Sequence, residues 1–521
     1  MNKEILKFGL ERGFLLDEEV LNLMGELEDT ESVKLILDNL KNYTSKKIIT
    51  KEIFENSSSE VSKIFLSLPE KTRQKFERLK IKLGLEIEIS KEIVASPKIE
   101  ASKEAISSGE IKITSASSPP GKKIEVQDFI EHFRSRFSKL KQILQENPNI
   151  SNPVSINKIG GIKQGITLIG MVSSKRVTKN KNLILEIEDL TGRINVVVSA
   201  GRQEIYGVAE NLALDSVIGL RGFGNREILF VNDIILPDSA ISLKKKGVEE
   251  EYALFIGDLH FGSKLFLRKS FLKFIDYLSG KLPNTPEVEK IKYLFIAGDL
   301  VTGVGNYPSQ ERDLEIVNLE EQYTGLAELL GKIRSDIKII LSPGNHDGVR
   351  LMEPQPLLDE KYAWPLYNLK NTILIGNPAN VCIGAKNNFS GFDILVYHGF
   401  SFPYYAANIP SLSSKRAMNS PEEIMKYLLK NRHLAPTHAS TQYIPLEEDA
   451  LLIKKVPDIF VAAHTHKCGI SNYNNVLVIS VSCWESMTPY QEKFGNEPDH
   501  CKVPMLNLKT REIKILDFEE K

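Results

Sequence analysis

The chain has 521 residues, of which 42% are hydrophobic and 26% are charged, and this composition excludes wholesale disorder and a fibrous fold. Its 67 Lys and Arg residues balance 68 Asp and Glu residues, which excludes a protein that coats nucleic acid by charge alone but allows a local basic groove. A chain of this length predicts about three domains.

Two features of the sequence favour a cytoplasmic location. No apolar run approaches the roughly 18 residues that cross a bilayer, and residues 1–14 mix charged and apolar residues as a helix does, unlike a signal peptide. The cysteines form no Cys-x-x-Cys motif and are too few to cross-link a chain of this length through disulfides, so we expect reduced thiols. They are Cys382, Cys468, Cys483 and Cys501.

The first quarter of the chain predicts a helical module and a tether. Residues 1–90 predict a small all-α module, because apolar residues recur three and four apart, as at Ile5, Leu6 and Leu10. Residues 91–123 are rich in Ser, Ala, Lys, Glu and Pro and contain no aromatic residue. Such a composition cannot bury enough apolar surface to order itself, so we predict a flexible linker.

Residues 124–150 predict a connecting helix. Gln127, Ile130 and Phe133 have a faint similarity to a motif that binds sliding clamps, but Arg134 stands where the second aromatic residue belongs. An ordinary amphipathic helix is the favoured interpretation, and a sliding clamp stays an alternative partner.

Residues 151–246 predict a five-stranded β-barrel of the OB type, and another small β-barrel is the alternative. The β-rich segments are residues 167–172, 183–188, 194–198, 217–222 and 229–235. The few aromatic residues, Tyr206, Phe223 and Phe230, favour a protein-binding or positioning role over single-strand binding. The basic cluster Lys175, Arg176, Lys179 and Lys181 could contact phosphates, although a solvated loop is favoured.

Residues 247–521 alternate buried strands with helices, which predicts an α/β domain. Five apolar runs each lead into a polar motif: 252–256 into Asp258 and His260, 293–297 into Asp299, 337–341 into Asn345, His346 and Asp347, 394–397 into His398, and 459–463 into His464 and His466. In an open α/β sheet, ligands bind in the crevice outside the carboxyl ends of the strands. Side chains two apart in an extended chain point to one side, so each pair is expected to face a single cavity.

These motifs predict a site for two metal ions. The candidate ligands are Asp258, His260, Asp299, Asn345, His398, His464 and His466. They are too many for one ion and suit two ions that share a bridging carboxylate, about 3.5–4 Å apart. Mixed imidazole and carboxylate ligation without Cys suits manganese, iron or zinc and disfavours a structural zinc site. Five such motifs in order are hard to explain as structural polar groups. We interpret His132, His433 and His500 as structural, while the role of His438 stays open because it also lies in a loop.

The motifs resemble the calcineurin-like metallophosphoesterase superfamily, whose pattern is Asp-x-His, Gly-Asp, Gly-Asn-His-Asp/Glu, His and Gly-His-x-His. Ala463 stands in place of the usual Gly. Residues 154–521 also resemble the small-subunit family of archaeal family D DNA polymerases, in the order of the two domains and in local stretches. These stretches are 349–356, 376–378, 432–436, 456–460 and 503–508.

The second resemblance implies a 3′–5′ exonuclease that proofreads for a separate, larger polymerase subunit. It implies that Asp258, His260, Asp299 and His466 hold one ion and that Asp299, Asn345, His398 and His464 hold the other. His346 would protonate the leaving oxygen or stabilise the transition state, with Asp347 orienting it.

Three alternatives remain. A protein phosphatase of this scaffold would carry an Asp and a phosphate-binding Arg after the second motif, where this chain has Val301, Thr302 and Gly303. The chain could instead be a catalytically weak scaffold subunit, or it could hydrolyse another phosphate ester by itself.

Overall fold

The apolar runs singled out in the sequence all form strands, because continuous apolar segments of this length bury both faces of a sheet. The computed structural model describes residues 2–13, 15–17, 20–21, 33–34, 48–49, 111–115 and 123–520, apart from residues 240, 242 and 387. The chain divides into one unit of residues 1–106 and a second of residues 107–521.

The described part of the first unit begins with the predicted helix, α1 (Asn2–Glu11). Two short strands, β1 (Leu15–Leu16) and β2 (Ile48–Ile49), pair in parallel and add β structure that the helical periodicity did not predict. The rest of the predicted helical module, and most of the predicted linker, lies outside the described residues.

The prediction of a flexible linker is wrong for one short stretch of the second unit. Strand β3 (Lys112–Ser115) lies within residues 91–123 and pairs antiparallel with the edge strand Ala379–Ile383 of a sheet. Ile111 packs against the core beside it. Order here comes from backbone hydrogen bonds to an otherwise open sheet edge, which composition does not reveal.

A closed five-stranded barrel confirms the predicted OB-type domain. Its elements are β4 (Gln164–Val177), β5 (Leu183–Asp189), β6 (Gly192–Val198), α3 (Gln203–Glu210), β7 (Val217–Gly224) and β8 (Ile228–Ile235). The strands follow the order β4-β5-β6-β8-β7 around the barrel. Alternating apolar side chains such as Leu168, Leu185 and Leu220 are completely buried in its interior.

The favoured interpretation of the basic cluster as a solvated loop is wrong for Lys175, which belongs to β4. Its ammonium donates to the carbonyls of Glu210 (2.7 Å) and Leu212 (2.8 Å), at the carboxyl end of α3. The carbonyls at the end of a helix attract a cation, and this contact turns Lys175 inward.

The predicted connecting helix forms as α2 (Val126–Gln145) and packs against both neighbouring domains. Phe137, Leu140 and Leu144 contact the barrel, and Phe133 packs beside them. On its other side, Arg136 Nε donates to Asp449 Oδ2 of the α/β domain at 2.6 Å. Phe133, the aromatic residue of the faint clamp motif, is therefore partly buried against this cluster.

The α/β domain contains two sheets rather than one open sheet, and both are six-stranded. Besides β3, their strands are β9 (Tyr252–Ile256), β10 (Ile291–Ala297), β11 (Lys338–Ser342), β12 (Thr372–Leu374), β13 (Ala379–Ile383), β14 (Phe392–Tyr397), β15 (Ile459–Ala462), β16 (Gly469–Tyr473), β17 (Val476–Ser480), β18 (Lys502–Asn507) and β19 (Ile513–Asp517). The first sheet has the order β12-β11-β10-β9-β18-β19 and the second the order β16-β17-β15-β14-β13-β3.

The two sheets pack face to face and carry helices on their outer faces. Buried Phe255 and Phe295 of the first sheet share a core with Val396 and Val461 of the second. The helices are α4 (Arg268–Leu278), α5 (Leu319–Leu330) and α6 (Glu360–Tyr367) against the first sheet, and α7 (Phe402–Asn408), α8 (Pro410–Ser413) and α9 (Pro421–Asn431) against the second. Helix α10 (Pro489–Phe494) is short. Among the described residues, no helix combines the length and apolarity of a membrane-spanning segment.

Candidate metal centre

The candidate metal centre lies where strands of both sheets end. Asp258 and His260 follow strand β9, Asp299 follows β10, and Asn345 follows β11. In the second sheet, His398 follows β14, and His464 and His466 follow β15. Both sheets direct the carboxyl ends of these parallel strands to the same place. The structure therefore brings together all seven side chains that the sequence predicted as ligands.

The backbone at most of these residues is left-handed, which corrects the expectation of an extended chain at the paired motifs. Positive φ angles occur at Asp258 (48°), His260 (48°), Asp299 (49°), His464 (69°) and His466 (58°). Each such angle at a residue other than Gly costs on the order of 1–3 kcal/mol and persists only where the surroundings enforce it. Here the turns are tied together, because Asp258 Oδ2 accepts a hydrogen bond from the amide of His464 at 2.8 Å.

Potential ligand atoms form three overlapping groups, within each of which they lie less than 4.8 Å apart. One group holds Asp258, His260 and His466; another holds Asp299, His398 and His464; the third holds His260, Asp299 and His346. Asp299 belongs to two of the groups, which is the position that a bridging carboxylate needs.

His398 is oriented for coordination by the strand beside it. Its Nδ1 donates to the carbonyl of Ala297 at 2.9 Å, so Nε2 faces the site. That Nε2 lies 3.3 Å from Asp299 Oδ2 and 2.9 Å from Asn345 Oδ1. Asn345 thus joins the group of Asp299, His398 and His464.

The other end of the site contains a buried carboxylate oxygen without a partner. Asp258 Oδ1 makes no hydrogen bond within the described residues, although its side chain is completely buried. His260 Nε2 lies 3.1 Å from His466 Nε2 and 3.8 Å from Asp299 Oδ2. A buried carboxylate oxygen without a donor is costly, and a cation held by these groups would satisfy it.

The protonation states suit metal ions as well. Burial, with the neighbouring His346, lowers the pKa of His260 to about 3, and burial holds the pKa of His464 and His466 well below the usual range. Neutral imidazole is the form that coordinates a metal. Burial alone would raise the pKa of Asp299, but His398 and His346 outweigh it and keep this carboxylate ionised.

The protonation of Asp258 and His398 also favours bound cations at this site. Burial raises the pKa of Asp258 well above its ordinary value. Burial alone would lower the pKa of His398, but Asp299 outweighs it and raises that pKa to about 10. A proton on His398 therefore balances the charge of Asp299, and a divalent ion would displace that proton and favour ionisation of Asp258.

The structure corrects the partner expected for His346. Asp347 does not orient this ring, because its Oδ1 accepts from the amide of Val301 (3.0 Å) and its Oδ2 from the amide of Gly344 (2.7 Å). The Nδ1 of His346 instead lies 3.0 Å from the carbonyl of Thr302 and 3.1 Å from Asn306 Nδ2. Buried Asp347 holds the loop together through its backbone.

Sequence reasoning missed a buried polar network behind His398. Asn377 Oδ1 accepts from the amide of His398 at 2.8 Å, and its Nδ2 donates to Gln355 Oε1 at 2.7 Å. Gln355 Nε2 in turn donates to the carbonyl of Gly344 at 3.1 Å. Gln355 and Asn377 lie in the stretches 349–356 and 376–378, which carried the family resemblance. The sequence therefore singled out these stretches but did not indicate what the two residues do.

Gln491 is a second positioning residue that the sequence did not indicate. Its Oε1 accepts from the amide of Thr488 at 2.9 Å in the capping box of α10. Its Nε2 lies 2.8 Å from His466 Nδ1, so the helix cap also positions a candidate ligand.

A cleft of about 1690 Å³ opens over the candidate metal centre. It is bordered by His260, Asp299, Asn345, His346, His464 and His466, and continues past Phe400, Tyr404, Arg416, His438 and Tyr490. Pockets for small ligands usually measure about 300–1,000 Å³. The larger volume suits an extended ligand.

Comparisons with known proteins agree with both domains. A family model described as calcineurin-like phosphoesterase matches residues 253–468, and one described as OB-fold nucleic acid binding domain matches residues 166–226. They confirm the fold class predicted for these two regions.

Curated relatives named DNA polymerase II small subunit match along most of the chain. The Pyrococcus horikoshii protein is 36% identical over 87% of this chain and 73% of its own length. The Methanothermobacter thermautotrophicus protein is 36% identical over 76% of this chain and 80% of its own length. The Pyrococcus abyssi protein is 38% identical over 78% of this chain, which spans 65% of that relative, just under two thirds.

Proposed function

The chain belongs to the family of archaeal DNA polymerase II small subunits, and on that premise we propose that its α/β domain is a metal-dependent 3′–5′ exonuclease. Its substrate would be a frayed or mismatched 3′ end of DNA, and its partner a separate large polymerase subunit. The observation that supports the proposal best is the convergence of seven candidate ligands from both sheets, at the base of a cleft large enough for an extended ligand.

We propose that two divalent ions occupy this centre, with manganese favoured and iron or zinc as alternatives. Asp258, His260, Asp299 and His466 would hold one ion, and Asp299, Asn345, His398 and His464 the other. Bound there, the ions would lower the pKa of a coordinated water and neutralise charge on a phosphodiester. The unpaired Asp258 Oδ1 supports this assignment.

His346 is the side chain we assign to proton transfer. Its amide donates to Asp299 Oδ1 at 2.8 Å, which fixes the residue beside the centre. A proton on Nδ1 donated to the carbonyl of Thr302 leaves Nε2 for the leaving oxygen of the substrate. Asp347 would act only by holding the loop that carries His346.

A protein phosphatase is a weaker candidate. The residues after Asp299 contain no phosphate-binding Arg, and Val301, Thr302 and Gly303 occupy that position. A scaffold role for the large subunit can coexist with nuclease activity, and a catalytically inert scaffold would not need buried neutral imidazoles around an unpaired carboxylate oxygen.

The experiment compares three substrates with manganese: a primer with a mismatched 3′ nucleotide, a phosphopeptide and p-nitrophenyl phosphate. The full chain is assayed with and without a co-purified large subunit. We expect shortening of the primer from its 3′ end and little hydrolysis of the phosphopeptide. Preference for the phosphopeptide or for p-nitrophenyl phosphate over the primer would refute the proposal. Failure to shorten the primer with the large subunit present would refute it as well.

A further inference from the structure

One wall of the cleft combines aromatic side chains with an arginine. Phe400 lies on the turn before α7, and its ring meets that of His464 edge to face, with centroids 5.4 Å apart. Pro403, Tyr404 and Ala407 continue this wall on one face of α7. The wall therefore starts at the candidate metal centre and continues along the helix.

Arg416 is the basic side chain that borders this cleft. Among the described residues that border the cleft, no other Lys or Arg occurs. Within the same described part of the chain, its guanidinium makes neither a hydrogen bond nor an ion pair, whereas the adjacent Lys415 lies 2.8 Å from Glu423. The cationic group that borders the cleft is thus the one left available for a ligand.

The backbone holds Arg416 in an unusual conformation. Its φ is 50°, in the left-handed region that residues other than Gly rarely adopt. Its amide donates to Ser413 at 3.0 Å, its carbonyl accepts from Asn419 at 2.8 Å, and the next residue, Ala417, is completely buried. An exposed arginine on a fixed, strained turn indicates a functional constraint.

The acidic groups of the cleft lie elsewhere. Apart from Asp299, the carboxylates that border it are Asp313 and Glu485. Glu485 accepts from Ser263, and the carbonyl of Asp313 accepts from the neighbouring Lys264, so both border the loop after β9. The turn of Arg416 would therefore attract a polyanion, whereas Asp313 would repel one from that loop.

We propose that the wall of Phe400, Tyr404 and Arg416 is the binding track for the single-stranded 3′ end, which deepens and rests on the proposed nuclease function. Phe400 and Tyr404 stack against bases near the metal centre, and Arg416 binds a phosphate of the strand. Stacking on aromatic rings tolerates every base, and a guanidinium binds phosphate in a bidentate manner. Five of the seven candidate ligands, all except Asn345 and His464, are buried, which favours access by a melted single strand over access by a duplex.

The first test measures binding of labelled oligo(dT) to the full chain over a range of salt concentrations. A chelator is present, so that no divalent ion supports hydrolysis. For Arg416→Ala we expect weaker binding and a slope of log affinity against log salt that is smaller by about 0.7, the value for one phosphate of a single strand. Arg416→Lys retains the charge and the slope, and Lys415→Ala serves as the matched control that changes neither. An unchanged slope in Arg416→Ala, or no binding of the strand by the natural chain, overturns the track.

The second test separates the rings from the charge. Phe400→Ala should weaken binding on the order of tenfold while leaving the salt slope unchanged. With manganese, Arg416→Ala should raise the KM for the oligonucleotide about tenfold more than that for bis(p-nitrophenyl) phosphate, which has no flanking nucleotide. Equal losses on both substrates would show a merely structural role. A strand that binds with the Arg416-dependent slope but is never shortened would refute the proposed function and leave the track standing.

Discussion

Asp299 is the residue on which the candidate centre is built. Its Oδ2 lies 3.3 Å from His398 Nε2 and 3.8 Å from His260 Nε2, and its Oδ1 accepts the amide of His346 at 2.8 Å. One carboxylate thus contacts both ends of the site and the loop of the proposed acid. A single buried charge with so many partners couples metal binding to the position of His346.

Replacement of Asp299 should therefore remove metal and activity together. We expect Asp299→Ala and Asp299→Asn both to lose bound manganese, because the amide of Asn retains the shape but not the charge. Elemental analysis of the purified variants gives the metal content, and Asp276→Ala, at a half-exposed carboxylate of α4 that pairs with Lys281, is the control. Full metal content in Asp299→Asn would contradict a bridging role.

Replacement of His346 should separate turnover from metal binding. We expect His346→Ala to retain both ions and to lose about 10²–10⁴-fold in kcat, which is the usual contribution of a positioned general acid. His438→Ala, at an exposed histidine that also borders the cleft, is the matched control. Metal loss in His346→Ala, or unaffected hydrolysis, would exclude the assigned role.

At the scale of elements, the strand-end loops meet so closely that they have no room for additional atoms. Gly298 precedes Asp299 with a φ of 92°, and a Cβ there would lie 2.5 Å from His398 Nδ1 and 2.9 Å from the Cα of Gly344. Three strands from two sheets thus approach one another at a single glycine. The glycine of this motif is required for the approach of β10, β11 and β14.

The variant Gly298→Ala should consequently displace His398 and lower the metal content. Gly305→Ala is a matched control, because Gly305 also has a positive φ (80°) but faces open space. Both variants share the backbone strain, so the difference in metal content measures the clash. Equal metal content in the two variants would contradict it.

At the scale of the whole molecule, α2 joins the barrel to the α/β domain. Arg136 is completely buried and binds Asp449 at 2.6 Å, and His433 Nε2 lies 2.8 Å from the same carboxylate oxygen. Burial alone would raise the pKa of Asp449, but Arg136 and His433 outweigh it and hold that pKa well below the ordinary range. A buried ionised carboxylate thus depends on a residue more than 300 positions away.

Removal of Arg136 should destabilise the second unit strongly. We expect Arg136→Met to lower the free energy of unfolding by about 3–5 kcal/mol, because Asp449 is left buried without its cation. Chemical denaturation measures the loss, and Arg134→Met, at an exposed position of the same helix, should change stability by less than about 0.5 kcal/mol. The double variant Arg136→Met/Asp449→Leu should recover part of the loss, and no recovery would contradict this explanation.

The sequence by itself determined the order of the barrel and the α/β domain, the five strands that precede the candidate ligands and the polar residues at their ends, because apolar runs and the motifs that follow them are local patterns. That the chain is a small subunit of this family was also predictable, since specific stretches such as 349–356 carried the resemblance. The convergence of the candidate ligands is observed, and their roles stay predictions.

Only the tertiary structure decided how these pieces meet. It divided the strands between two sheets and placed most of the candidate ligands in left-handed turns. It also paired the Asp347 carboxylate with backbone amides, ordered Lys112–Ser115 on a sheet edge and buried Arg136 against Asp449. Each of these outcomes depends on a partner that is remote in the chain. A local pattern records which residues are buried, but the identity of the group that satisfies a buried charge or an open strand edge is fixed only when the whole fold assembles.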